Sequence, residues 1–150
     1  MDAVAPSGLP LHKTANLGAS SRVYQAIAKQ YTPVLADLNA TGYGDAESNA
    51  ASFIVVLGQL HPNPPLPNVV DGTLSALGAT GTVAREKFGA HAMKYSLVMS
   101  CGTLPTKHTV CVWTGGTHGD LFLGAVEAPV GMTITDTATL AESVFSYVAP

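Results

Sequence analysis

The sequence predicts an α+β domain with a mostly antiparallel sheet, a three-strand meander in its C-terminal half, and helices packed on one face of the sheet. Three observations support this class. Apolar and polar side chains alternate over residues 93–101, which is the period of a strand with one apolar face. Two more short apolar runs follow after short turns, as in an antiparallel meander. Three other stretches carry apolar residues at helical spacing.

Length and composition indicate one folded domain. The chain has 150 residues, a common single-domain length, and 47% of them are hydrophobic, which is ample for a core. Residues 1–10 contain two prolines and a glycine and are expected to be a flexible lead-in to a domain over residues 11–150. The net charge is −3 and the basic residues are scattered, which argues against binding of nucleic acid or anionic lipid.

The sequence contains no candidate membrane span, because a span needs about 20 apolar residues. The longest apolar run, residues 53–57, has the length of a strand. Residues 1–6 lack the basic and apolar regions of a signal peptide, so the N-terminus by itself favours a cytosolic protein. If the protein is exported, its leader or anchor is absent from this chain.

The N-terminal third is expected to hold a short strand and a helix. The strand is expected within residues 11–17. Apolar residues at helical spacing then predict a helix over residues 23–38, capped by Ser20 or Ser21. Pro33 lies within this stretch, so it either kinks the helix or begins a second helix with Thr32 as its cap. Residues 39–45 contain two glycines and are expected to form the turn that leaves this helix.

The middle of the chain predicts a buried strand and a second helix. Residues 53–57 are continuously apolar, which is typical of a central strand buried on both faces. A short amphipathic helix is expected over residues 69–77, with Gly78 directly after its C-terminus.

The C-terminal half predicts the meander and a last helix. Its strands are expected at residues 93–101, 109–114 and 121–126. Thr135 or Asp136 is expected to cap the final helix, whose apolar stripe ends at Val148. The resulting order is strand, helix, strand, helix, three strands, helix, which gives a sheet of about four or five strands.

The two cysteines flank a turn centred on Thr106. If that turn is tight, Cys101 and Cys111 face each other across a hairpin at a distance that a disulfide can bridge. Two buried, reduced thiols are the alternative, as in cytosolic proteins. A cysteine nucleophile assisted by His108 or His91 is a third possibility, although no neighbouring residue marks either thiol as activated.

The hairpin residues Cys101-Gly102 and Cys111-Val112-Trp113, followed by a Gly-containing turn and an apolar strand, resemble a family of actinobacterial extracytoplasmic domains. Members of that family are uncharacterised membrane proteins or lipoproteins. The order of the other elements is also similar, so the resemblance covers most of the chain. It implies a Cys101–Cys111 disulfide, an extracytoplasmic location and an anchored precursor, and it supplies no function.

One feature departs from that family. Its members place an acidic residue soon after the tryptophan, whereas here the first acidic residue after Trp113 is Asp120.

Candidate site residues are few. His118 and Asp120 have a spacing that metal ligands use, but zinc needs three or four protein ligands and the sequence offers no third, so polar residues on a turn are the alternative. The Gly-rich residues 115–119 lack the lysine of a phosphate-binding loop. Trp113 is expected to pack against the disulfide, or else to be an exposed anchor for a partner.

These observations favour a non-catalytic extracytoplasmic domain that binds a partner protein or a small ligand in the cell envelope. We expect no catalytic residue, metal or cofactor, and Trp113, His118 and Asp120 are the possible binding residues. The alternatives are a small hydrolytic or metal-dependent enzyme that uses His118 and Asp120, and a purely structural module of the envelope.

Overall fold

The computed structural model describes residues 12–14, 22–31, 35–44, 51–60, 66–85, 98–117, 120–128 and 130–148. These residues form seven strands: β1 (His12–Thr14), β2 (Leu35–Gly44), β3 (Ala51–Leu60), β4 (Thr80–Arg85), β5 (Val98–Thr103), β6 (Thr109–Thr117) and β7 (Asp120–Glu127). They also form three helices: α1 (Arg22–Tyr31), α2 (Leu66–Ala76) and α3 (Ile134–Val148). The expected lead-in at residues 1–10, the capping serines Ser20 and Ser21, His91 and the first part of the 93–101 strand lie outside the described residues.

The strands form one sheet in the order β1-β2-β3-β7-β6-β5-β4, and every neighbouring pair is antiparallel. The α+β class and the C-terminal meander β5-β6-β7 are therefore confirmed. Strand β7 lies in the middle of the sheet, because it pairs with β6 on one side and with β3, from the first half of the chain, on the other. Strands β1 and β4 form the two edges of this sheet.

The helices cover both faces of the sheet, so the expectation of helices on one face is wrong. Alternate residues of the same strands belong to two separate cores. On one face, α1 and α2 pack against a cluster that includes Val56, Val110, Val112, Leu123 and Ala125. On the other face, α3 packs against a cluster that includes Val55, Cys101, Cys111, Trp113 and Val126. Since both faces of β3, β6 and β7 are apolar, each face needs a covering layer.

Strand β2 occupies residues that were expected to be helical or to form a turn. Helix α1 ends at Tyr31, and residues 35–44 pair along β3 instead. Leu35 and Leu38 happen to have helical spacing, but strand pairing with β1 and β3 overrides that local pattern. The edge strand β4 was also not expected, and these two strands raise the number in the sheet to seven.

Helix α2 ends as the sequence predicts. Gly78 has a left-handed φ of 72°. The Ala79 N–H donates to the Leu74 carbonyl and the Gly78 N–H donates to the Ser75 carbonyl, both at 3.0 Å. This is the Schellman arrangement, in which glycine at the position after the helix satisfies the last carbonyls.

Helix α3 begins two or three residues earlier than expected. The Asp136 N–H donates to the Thr133 hydroxyl at 3.0 Å, so Thr133 is the N-cap, in place of Thr135 or Asp136. Asp136 then lies in the first turn, where a negative charge is favourable.

Candidate functional site

The two cysteines form a disulfide across the β5–β6 hairpin. Cys101 lies directly opposite Cys111, with their Cα atoms 4.1 Å apart, and both residues are fully buried. The disulfide interpretation is therefore confirmed. The alternatives of two free thiols or a cysteine nucleophile are wrong, since neither sulfur is available as a thiolate.

Trp113 is a core residue. It lies two positions after Cys111, on the same face and in the same cluster as the disulfide, and none of its surface is exposed. Its indole ring covers Gly124, its partner on β7, so a Cβ added to that glycine would clash with the Trp113 ring. Trp113 therefore has no exposed surface with which to act as an anchor for a partner.

The pair of His118 and Asp120 stays a prediction. Asp120 is the first residue of β7 and pairs with Thr117, and His118 lies outside the described residues. Across the described ranges, no group of three or more His, Cys, Asp or Glu side chains could hold a metal ion. None of the helices in those ranges combines the length and apolarity that crossing a membrane requires.

The structure brings together three charged or titratable residues that the sequence did not group: Arg22, His108 and Glu127, here called the polar cluster. Glu127 lies opposite Val110, so its side chain is on the α1/α2 face of the sheet. His108 precedes Val110 by two positions and lies on the same face. Arg22 begins α1, which packs on that face.

His108 is held by the end of β7. Its Nδ1 lies 2.8 Å from the Ala128 carbonyl oxygen, and because a carbonyl can only accept, Nδ1 carries the proton. The Ala128 N–H in turn donates to the Thr109 carbonyl at 2.8 Å. Nε2, on the opposite side of the ring, is therefore an acceptor in the neutral imidazole and a second donor in the protonated form.

Glu127 is a half-buried carboxyl group. Burial raises its pKa above the ordinary value, and the nearby His108 and Arg22 oppose part of that rise. A carboxyl group whose pKa is perturbed by burial and by specific charged neighbours is a candidate for a functional site.

The tip of the β5–β6 hairpin lies beside the polar cluster. The Leu104 N–H donates to the His108 carbonyl at 2.8 Å, and the Lys107 N–H donates to the Leu104 carbonyl at 2.9 Å. Lys107 has a φ of 73°, at the left-handed position that glycine normally takes in such a loop. Pro105, Thr106 and Lys107 are all exposed.

The opposite side of the hairpin is tied to α3. The buried Thr109 hydroxyl lies 2.7 Å from the Thr137 hydroxyl and 3.2 Å from the Met132 carbonyl oxygen. The Thr137 hydroxyl donates to the Thr133 carbonyl at 2.8 Å. The start of β6 is thus fixed against the start of α3 by bonds among buried or partly buried groups.

Comparisons with known proteins add no identity: no protein-family model matches the chain, and no curated protein matches it significantly.

Sequence reasoning considered His108 only as a helper of a cysteine nucleophile and did not single out Arg22 or Glu127. One signal was present: Glu127 is a charged residue that directly follows the apolar residues 121–126 of its strand. Its neighbours could not be inferred, since they come from segments about 20 and 105 positions away in the chain.

Proposed function

We propose that this chain is a non-catalytic extracytoplasmic domain that binds a partner protein or a small ligand, and that it belongs to the actinobacterial family its hairpin resembles. The observation that carries the proposal is the fully buried Cys101–Cys111 disulfide. Structural disulfides persist in oxidising compartments and are rare in the cytosol. The family resemblance adds an anchored precursor, since its members are membrane proteins or lipoproteins.

The layered fold limits where a binding surface can lie. Helices cover the inner strands on both faces of the sheet, and the side chains on these faces form the two cores. The hairpin tip at residues 105–107 is exposed and lies beside the polar cluster. Loops held by a rigid scaffold are where binding residues concentrate. We therefore place the binding surface at this end of the sheet.

The compartment is tested by counting free thiols. The protein is recovered from envelope and cytosolic fractions of its own host, denatured without reductant and reacted with a thiol reagent. An envelope location with no free thiols supports the proposal. Recovery in the cytosol with two free thiols per chain overturns it.

The binding role is tested by photocrosslinking in intact cells. A photoreactive amino acid replaces Thr106 at the hairpin tip or, as a matched control, Thr139, which is exposed on α3. We expect one discrete crosslinked species from position 106 and none from position 139. The absence of a crosslink at 106, or equal labelling at both positions, contradicts this binding surface.

A further inference from the structure

We draw no further inference here: the strongest candidate, the surface patch that the exposed hairpin tip at residues 105–107 forms with the exposed Val130 of the loop between β7 and α3, carries none, because nothing in the described part of the chain shows what covers it.

Discussion

At the scale of single residues, Thr114 is the one buried side chain whose polar atom has no hydrogen-bond partner within the part of the chain that the structure describes. It is fully buried on β6, on the α1/α2 face between Val98 and Leu123. Buried polar groups are nearly always paired, and an unpaired one costs about 1–3 kcal/mol. Thr137, equally buried, is bonded to two other groups and provides the contrast.

Thr114→Val should therefore stabilise the protein. The change keeps the shape of the side chain and removes an unpaired hydroxyl, so we expect the free energy of unfolding to rise by about 1 kcal/mol. Urea denaturation measures it. Thr137→Val is the matched control and should lose about 1 kcal/mol, because it removes a paired hydroxyl. Equal losses in both variants would mean that Thr114 is also paired.

Glu127 predicts a second effect at the residue scale, on the pH dependence of stability. Its pKa is raised in the folded protein, so the folded state holds the proton more tightly than the unfolded state. The stability that Glu127 contributes is thus present below its ordinary pKa and is lost as the pH rises through the raised value.

Glu127→Gln should match the wild type in stability at low pH and exceed it at neutral pH. The urea midpoints of the two proteins, compared from pH 4 to pH 8, measure this difference. Asp71→Asn, which removes an exposed carboxylate on α2, is the control for the removal of one negative charge. A wild type that is the more stable of the two at pH 8 would refute the prediction.

At the scale of elements, the β5–β6 hairpin joins most of the features described. The two faces of the hairpin contribute side chains to the two cores, and the disulfide fixes the pairing of its strands. Lys107 is exposed at its tip. Leu104 and His108 form a hydrogen-bonded pair at the end of the hairpin. Because hydrogen-bonded and non-hydrogen-bonded pairs alternate along an antiparallel ladder, the Cys101–Cys111 pair is a non-hydrogen-bonded one. The left-handed Lys107 is the element's one unfavourable backbone conformation among the described non-glycine residues.

Lys107→Gly should relieve that conformation. Glycine adopts positive φ without steric cost, so we expect a gain of about 0.5–1 kcal/mol in unfolding free energy. Thr106→Gly, at the neighbouring exposed position without positive φ, should instead lose stability. Thermal melts of the two variants and the wild type measure both changes.

At the scale of the whole molecule, the fold is a seven-stranded sheet between two helical layers. The sheet is completed by pairing β3 with β7, which joins residues about 70 positions apart. The disulfide joins neighbouring strands at a sequence separation of 10, and it stabilises the fold mainly by restricting the unfolded chain.

Removing the disulfide should destabilise the whole domain. For a loop of this length the chain-entropy model gives about 3 kcal/mol, and a Cys101→Ala/Cys111→Ala double variant also loses packing in the core. Denaturant melts monitored by Trp113 measure the loss. In the wild type both sulfurs are buried, so reductant should release thiols only as fast as the domain unfolds. Rapid release from the folded protein would contradict this burial.

The local pattern determined much of this protein. The buried strand at 53–57, helix α2 with its Gly78 end, the hairpin strands and the last helix all follow from short-range periodicity. The spacing of Cys101 and Cys111 indicated a cross-strand pair because a tight hairpin places such positions opposite each other.

Tertiary structure decided the rest. Residues 35–44 became a strand because β1 and β3 pair with them, although Leu35 and Leu38 have helical spacing. The helices took both faces because consecutive residues of β6, such as Cys111 and Val112, bury their side chains on opposite sides. The polar cluster exists only after folding, since Arg22, His108 and Glu127 come from separate segments. Local periodicity reports which side chains must be buried, and only long-range pairing decides what buries them.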